Sequence, residues 1–449
     1  MFLVFILLAL LSLLPNLHRY TFKNEESLRT QIAFEMWHSG HYLQPTLFGE
    51  PYFNKPPLFN WLIVLYSHII PWSELTARAV SLTSLTLLTL LVGVFSYYLF
   101  KNIRLSLLSS LILLTSGNIL FFYGYLAEID ITFSLFVFLG MFFLYLWWER
   151  ASFMFALSAG LVFGISFMLK GLPAYAFMGI SMISFALYRR DIRYLMGKGA
   201  IAIYLFSLIV PALWLVQLAE PVEYIKSLWR ESFSRVGGEF SRLSHMLFYP
   251  LINFKDLLPW SLLFLLSLWY GRKELTFPSQ IQLLTLLFLL NYLPYWISDS
   301  SGRYIMPLYP LLAIIFSYYT YRALSSELFK RLLLFTLVSV ILLRLLYGIF
   351  FFPYAENRES SRKRIAESMA GYVSMRSSIA CQCQEEKSVC LYLGIWKGEP
   401  LRLLTKTRDP EYSVTCGEHM GILIAEYRLR GRTIRLEKLK HSLSAALNY

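Results

Sequence analysis

Long apolar runs, separated by short polar segments, fill the chain as far as about residue 352. A membrane-spanning helix needs about 20 mostly apolar residues, and somewhat fewer where the bilayer thins. Eleven runs meet this requirement: 1–17, 79–100, 105–123, 131–148, 153–169, 171–188, 199–219, 257–271, 281–297, 303–321 and 332–352. The pattern therefore predicts an all-α polytopic membrane bundle of about eleven spans.

The apolar segment 57–71 is short, opens with Pro56-Pro57 and closes at Pro71. Cytoplasmic loops carry an excess of Lys and Arg, and this rule decides whether the segment crosses. If it does not cross, and the N-terminus is cytoplasmic, every basic loop cluster faces inwards. These clusters are Lys101/Arg104, Arg150, Arg189/Arg190/Arg193/Lys198, Arg272/Lys273 and Arg322/Lys330/Arg331. We therefore predict an interfacial or re-entrant helix at 57–71 on the outer face.

The same topology places the loops 18–78 and 220–256 and the C-terminus outside the cytoplasm. The segment Met1 to Leu14 lacks a basic n-region and a small-residue cleavage site, so it is interpreted as a retained anchor and first span. Residues 1–352 then form the transmembrane domain of a protein in the cell (inner) membrane.

After Pro353 the composition changes to dense charge without a candidate span. The runs Val389 to Ile395 and Gly421 to Leu429 are typical of strands separated by turn residues. Residues 353–449 are therefore predicted to be a small extracytoplasmic α+β domain.

All four cysteines of the chain lie in this C-terminal domain. Cys381 and Cys383 are too close in sequence to bridge comfortably, so each would have to pair with Cys390 or Cys416. Two disulfides are expected in an oxidising compartment. A metal site is the alternative, although Cys-x-Cys is not a usual zinc spacing. Nothing else in the sequence requires a metal or another cofactor.

The composition supports a membrane protein, since 57% of the residues are hydrophobic and only 15% are charged. Soluble domains average about 45–50% apolar and about 25% charged residues. The formal net charge of +13 is spread over short clusters between apolar runs rather than gathered on one face. This placement favours membrane lipids over nucleic acid as the partner.

The loop 18–78 carries an adjacent pair of carboxylates, Glu25 and Glu26. The following residues 26–38 show helical periodicity, with Leu28, Ile32 and Met36 on one stripe. A helix lying on the membrane would hold Glu25 at its start, where a carboxylate can act as general base towards a hydroxyl or amine. The alternative is that both are ordinary solvated loop charges or helix N-terminal charges.

A second candidate in this loop is Lys55, which lies between aromatic residues and Pro56-Pro57. It is either a lysine that snorkels to the interface or a cation for a headgroup phosphate. By the predicted topology Glu128, Asp130, Lys170 and Arg303 face the same side of the membrane. The sequence thus places cations and carboxylates on one face, and their convergence depends on the fold.

These segments resemble those of the polyprenyl-phosphate-sugar glycosyltransferases of the GT-C fold, which include the lipid A aminoarabinose transferase and the protein O-mannosyltransferases. The matching motifs follow the family's order over most of residues 1–320. They are Glu25-Glu26, Ile32-Ala33-Phe34-Glu35-Met36, Ser39-Gly40, Tyr52-Phe53-Asn54-Lys55-Pro56-Pro57, Glu128-Ile129-Asp130, Leu169-Lys170-Gly171-Leu172-Pro173, Leu258-Pro259-Trp260-Ser261 and Arg303-Tyr304-Ile305-Met306-Pro307-Leu308.

The resemblance implies inverting transfer of a sugar from a polyprenyl-phosphate donor to a lipid, glycan or protein acceptor on the outer face. Glu25 would be the base, with Glu26 as a further catalytic candidate, and Asp130 would position acceptor or sugar hydroxyls. The family usually has Asp-Glu where this chain has Glu-Glu, so the carboxylate at residue 25 is displaced by one methylene. The donor phosphate would be bound by Lys55 and Arg303, with Lys170 as a further candidate.

Two other classes of protein share some of these features. A secondary transporter also has many spans, but we find no repeated halves and no paired Gly/Pro-broken spans. A polymerase or ligase of lipid-linked polysaccharide would share the donor chemistry and use a different charged loop.

Overall fold

The computed structural model describes residues 1–233, 239–272, 275–358, 361–417, 419–429 and 431–439, so Lys273 of the fourth basic cluster lies outside the described residues. The α-helices are α1 (Phe2–Ser12), α2 (Asn24–Ser39), α3 (Leu58–Ser67), α4 (Glu74–Phe100), α5 (Ile103–Leu114), α6 (Ile129–Arg150), α7 (Phe153–Lys170), α8 (Pro173–Arg189), α9 (Lys198–Leu215), α10 (Pro221–Phe233), α11 (Glu239–Asp256), α12 (Trp260–Tyr270), α13 (Ser279–Ile297), α14 (Tyr309–Ala323), α15 (Glu327–Leu346), α16 (Phe352–Glu356), α17 (Arg362–Ala370) and α18 (Lys387–Lys397). The strands are β1 (Thr46–Leu47), β2 (Glu50–Pro51), β3 (Ile379–Cys381), β4 (Tyr412–Thr415), β5 (Ile422–Leu429) and β6 (Arg432–Lys438).

The protein is mostly helical, as predicted, and it is a multi-pass membrane protein. Within the described residues seven helices are long and apolar enough to cross a membrane, or eight if α11 and α12, bent by 87°, form one broken span. The other predicted spans, 105–123, 171–188 and 303–321, overlap the shorter helices α5, α8 and α14. The total of eleven crossings therefore remains a prediction.

The chain divides into two compact units, each made of several separate stretches of the sequence. The first unit comprises Met1–Leu14, Phe53–Pro56 and Ser81–Leu345. The second comprises Pro15–Tyr52, Pro57–Val80 and the described residues from Leu346 onwards. Most of the loop 18–78 thus belongs to the same unit as the C-terminal segment, and the domain boundary predicted at 352/353 stays a prediction.

In the first unit α7 packs against both α6 and α9. The helices approach closely, because a side chain at Gly160 would place its Cβ 2.6 Å from the carbonyl oxygen of Ile203. Small residues permit such contacts between membrane helices. The packing of α6 on α7 brings the start of α6, with Asp130, beside the end of α7, with Lys170.

The second unit contains a four-stranded sheet in the order β3-β4-β6-β5, in which β3 and β4 are parallel and the other pairs antiparallel. Helices α17 and α18 pack on one another, and α18 also packs on α2. A small sheet domain is therefore present at the C-terminus, as predicted, and the strand expected at Gly421 to Leu429 is confirmed as β5.

The strand predicted at Val389 to Ile395 is wrong, since these residues lie in α18, which is followed by Gly398 as C-cap with φ +78°. The physical reason is that a short, fully buried apolar run has the same composition in a strand and in a buried helix. Val389 and Leu393, four residues apart, are both completely buried, as the inner face of a helix requires.

The cysteines are bonded in two pairs in this unit. Cys381 of β3 joins Cys390 of α18, with their Cα atoms 6.1 Å apart. Cys383 joins Cys416, just after β4, with their Cα atoms 4.9 Å apart. The pairing that the sequence left open is thus specified in the structure, and its formation in the protein as isolated from cells stays a prediction.

Candidate functional site

The predicted helix at residues 26–38 is confirmed as α2, and its position on the membrane stays a prediction. Ile32 and Met36 of the predicted stripe are buried and Leu28 is half-buried. The polar residues Glu26 and Gln31 are also completely buried. The helix thus buries polar as well as apolar side chains, and ion pairs and hydrogen bonds compensate the buried polar groups.

Glu26 is held in a two-pronged ion pair with Arg78 of α4. The distances are 2.7 Å from Arg78 Nε to Glu26 Oε1 and 2.9 Å from Arg78 Nη2 to Glu26 Oε2. Both side chains are 0% exposed. Glu26 also accepts a hydrogen bond from the backbone N–H of Lys23, at 3.1 Å, which caps α2. This carboxylate is thus occupied in fixing the start of the helix.

The neighbouring Glu25 lies in the first turn of the same helix and is more accessible. Its side chain is 39% exposed, and its Oε2 lies 3.2 Å from Nη2 of the buried Arg29. Arg29 Nη1 in turn donates to the hydroxyl of Tyr52, at 3.2 Å. The guanidinium therefore connects the candidate base with the aromatic end of the loop motif, and it orients the Glu25 carboxylate without enclosing it.

Glu35, which the sequence offered only as part of a motif, organises the hairpin of β1 and β2. Its carboxylate accepts hydrogen bonds from Gln31 Nε2 (2.9 Å), Thr46 Oγ1 (2.7 Å) and the backbone N–H groups of Phe48 (2.6 Å) and Gly49 (3.2 Å). Burial raises the pKa of Glu35 above its usual range, and these donors partly oppose that effect. The sequence signal for this structural role of Glu35 was its position as a carboxylate within an apolar helical run.

In the first unit four of the predicted residues converge. Lys170 Nζ donates a hydrogen bond to Asp130 Oδ1. Arg303 Nη1 lies 2.5 Å from Glu128 Oε2 and 3.9 Å from Asp130 Oδ2. All four side chains are largely buried, with Arg303 the most exposed at 22%. The convergence arises because Glu128 caps the start of α6 and Asp130 lies in its first turn, while Lys170 ends α7 and Arg303 lies in the turn before α14.

Aromatic rings surround these charges. The ring of Tyr304 lies 4.9 Å from Lys170 Nζ and 5.7 Å from the Arg303 guanidinium. Phe133 lies 5.2 Å from Lys170 Nζ, and Tyr123 lies 5.9 Å from the Arg303 guanidinium. Rings limit the access of water, so that charge pairing is stronger here than at an open surface.

Lys55 belongs to the same unit and pairs with a carboxylate that the sequence did not single out. Its Nζ donates to Glu231 Oε1 of α10, and its carbonyl oxygen accepts a hydrogen bond from Tyr224 Oη at 2.6 Å. The positive charges of Lys170, Arg303 and Lys55 all attract the Asp130 carboxylate electrostatically. Glu231 was missed because it lies in the loop 220–256 without a recognisable motif.

Comparison with known proteins gives a consistent result. A family model described as dolichyl-phosphate-mannose-protein mannosyltransferase matches residues 54–216. The undecaprenyl phosphate-alpha-4-amino-4-deoxy-L-arabinose arabinosyl transferase of Pseudomonas aeruginosa (strain UCBPP-PA14) is 28% identical over 328 residues, which are 70% of this chain and 58% of that protein. The transferase of the same name from Pseudomonas savastanoi pv. phaseolicola is 28% identical over 221 residues, which are 48% of this chain and 41% of that protein. The chain thus spans about half the length of the curated relatives it matches.

Two solved structures of ArnT from Cupriavidus metallidurans share the fold. The apo form aligns with a TM-score of 0.72 over 97% of this chain and 96% of that chain, and the form bound to undecaprenyl phosphate with 0.73 over 97% of each, both at 16% identity. The chain therefore has the fold of ArnT. These findings confirm the resemblance to the GT-C polyprenyl-phosphate-sugar glycosyltransferases that the sequence motifs indicated.

Proposed function

We propose that this protein is a membrane glycosyltransferase of the inner membrane that moves a sugar from a polyprenyl-phosphate carrier to a lipid, glycan or protein acceptor on the outer face, with inversion. The observation that carries the proposal is the enclosed cluster of Glu128, Asp130, Lys170 and Arg303 in a chain with the fold of ArnT. The relatives named above transfer arabinose units from undecaprenyl phosphate according to their names, which supports a lipid-phosphate donor.

The donor end of the reaction is assigned to the cations of the first unit. Lys55, Arg303 and Lys170 would bind the phosphate and stabilise the charge that develops on it as the bond to the sugar breaks. Each of these cations already contacts a carboxylate, so a phosphate must displace or share that partner. Because the cations are held in place before the donor arrives, little reorganisation is needed during transfer.

Asp130 has two tasks in this proposal. It keeps Lys170 and Arg303 oriented through the contacts described above. It also orients hydroxyl groups of the sugar or acceptor, since an ionised carboxylate accepts such hydrogen bonds well.

The acceptor end is assigned to Glu25. As general base it would take the proton of the acceptor hydroxyl or amine while that atom attacks the anomeric carbon from the face opposite the phosphate. The new glycosidic bond forms as the bond to the phosphate oxygen breaks, the lipid phosphate leaves, and the configuration inverts. Glu26 is less suited to this task, because a completely buried carboxylate bound to Arg78 cannot meet an acceptor without losing that partner.

We also propose that the chain crosses the membrane eleven times, with the loops 18–78 and 220–256 and the C-terminus outside the cytoplasm. Helix α3 has 10 residues, so it is about 15 Å long at 1.5 Å per residue. This is about half of the roughly 30 Å hydrocarbon core. This length fits an interfacial or re-entrant position, and the inward position of the basic loop clusters is what favours it over a crossing.

The test is mass analysis of lipids and glycans from cells with and without the chain, combined with transfer assays on the purified protein. The expected result is a sugar modification present only with the chain, and transfer from a polyprenyl-phosphate sugar in detergent. The Lys55→Ala variant, expressed at the same level, should lose both. Identical lipid and glycan masses in the two kinds of cell, together with no transfer in the assay, would overturn the proposed function.

A further inference from the structure

A cavity of about 710 Å³ lies in the first unit, away from the charged cluster described above. It is lined by residues at the start of α5, at the end of α14 and at the start of α15, together with the start of α1. Arg303 precedes α14, whereas the cavity residue Arg322 lies in the last turn of that helix. Since α14 has 15 residues, its two ends are about 22 Å apart at 1.5 Å per residue. The cavity is therefore a separate site, at the other end of α14 from Arg303.

Three cations line this cavity. Arg104 is exposed in the first turn of α5, and the Arg322 guanidinium lies 4.6 Å from the ring centre of Tyr318. Lys330 Nζ lies 2.5 Å from Glu327, whose side chain is 73% exposed. In the part of the chain that the structure describes, no Asp or Glu lines the cavity itself. The lining therefore attracts an anion.

The remaining walls of the cavity are largely apolar. Phe2 and Leu333 are buried, and Leu107 and Leu334 are half-buried. A free phosphate would leave these walls unused, and an uncharged lipid would leave the cations unused. The combination suits a molecule with an anionic headgroup and a hydrocarbon chain.

We propose that this cavity binds an anionic phospholipid, with its phosphodiester headgroup on Arg104, Arg322 and Lys330 and the upper part of an acyl chain against the apolar walls. All three cations belong to basic clusters that the predicted topology places on the cytoplasmic side. The lipid would come from that leaflet, where basic pockets between membrane helices hold lipid headgroups. Such a lipid would bridge α5, α14 and α15 and stabilise their packing.

The experiment is native mass spectrometry of the purified full chain after release from nanodiscs of phosphatidylglycerol and phosphatidylcholine. The parent protein should retain phosphatidylglycerol and not phosphatidylcholine, and inorganic phosphate alone should not raise its melting temperature. In the variant Arg104→Gln/Arg322→Gln the affinity for phosphatidylglycerol should fall about 25-fold, since the loss of each cation costs about fivefold. Leu107→Trp leaves every cation in place and fills the cavity, and it should also reduce retention.

Arg190→Gln is the matched control, because Arg190 is an exposed cation of another basic cluster and does not line the cavity. This variant should retain phosphatidylglycerol like the parent. The proposal is refuted if the double variant and Leu107→Trp both bind the lipid as the parent does. It is equally refuted if Arg190→Gln loses as much lipid as the double variant, because general surface charge would then account for retention.

Discussion

The adjacent carboxylates Glu25 and Glu26 are expected to give opposite phenotypes when each is replaced by glutamine. The Glu25 side chain is 39% exposed and contacts Arg29 at 3.2 Å, whereas the Glu26 side chain is 0% exposed and is bound twice by Arg78. A partly exposed ion pair contributes about 0.2–1 kcal/mol to stability. Removing one partner of a buried pair costs about 3–5 kcal/mol, since the other charge stays buried without compensation.

Glu25→Gln should therefore melt within a few degrees of the parent protein and lose sugar transfer. Loss of a general base lowers turnover by roughly two to four orders of magnitude, which corresponds to about 3–5 kcal/mol of transition-state stabilisation. Donor binding should largely survive, because the change removes a group that acts on the acceptor. Glu25→Asp should retain more activity than Glu25→Gln, because aspartate is the usual residue at this position in the glycosyltransferase family that the sequence resembles.

Glu26→Gln should instead give a low yield and a low melting temperature, with the surviving folded fraction active in proportion to its amount. A loss of about 3–5 kcal/mol is a large part of a typical stability of about 5–15 kcal/mol. The assay is transfer from a polyprenyl-phosphate sugar by purified protein in detergent, with a thermal melt of the same samples. Glu50→Gln is the matched control, because Glu50 is half-exposed and pairs with Lys406 at 3.4 Å in the same unit.

Two results would refute this reasoning. If Glu25→Gln transfers sugar at the parent rate, Glu25 is an ordinary loop charge and the base must be sought elsewhere. If Glu26→Gln melts like the parent and is inactive, Glu26 is the chemical group and its burial on Arg78 has been misinterpreted.

Three further predictions concern the donor, the cysteines and the topology. Lys55→Ala should weaken binding of a polyprenyl phosphate as well as turnover, because the cation would contact both the bound and the leaving phosphate. Lys226→Ala is the control, at a lysine of α10 that is 64% exposed. It should leave both quantities unchanged in a binding and transfer assay. Alkylation of the unreduced, denatured protein followed by mass spectrometry should find all four cysteines blocked, and four alkylated thiols would contradict both the pairing and the outer location of this domain. Reporter fusions after Phe100 and after Tyr354 should report the cytoplasm and the outside respectively, and a signal from the same compartment would exclude the proposed topology.

The local pattern of the chain was sufficient to predict those elements whose signal is long and periodic. The long apolar runs gave the helices of the membrane bundle, and the 3.6-residue period gave α2. It was insufficient for α18, where a short apolar run fits a strand and a buried helix equally well. The hydrophobic pattern also does not determine how many times the chain crosses the membrane, because α5, α8 and α14 are shorter than an ordinary span.

The candidate site shows the same division. Residue type and order were enough to propose Glu25, Lys55, Asp130, Lys170 and Arg303 as candidates, because charge is costly beside lipid and is rarely kept there without use. Which carboxylate meets which cation was not contained in the order of the chain. It depends on the packing of α6 on α7 and on the turn before α14, which bring together residues far apart in sequence.

The sequence by itself determined that this protein is a helical membrane protein with an acidic and basic set of residues on one predicted face. Composition and periodicity are local properties, and they suffice for that conclusion. Only the tertiary structure decided that Glu26 is buried on Arg78 while Glu25 stays accessible, that Glu231 is the partner of Lys55, and how the cysteines pair. Burial and pairing are properties of the packed chain, since they depend on neighbours that long stretches of sequence separate.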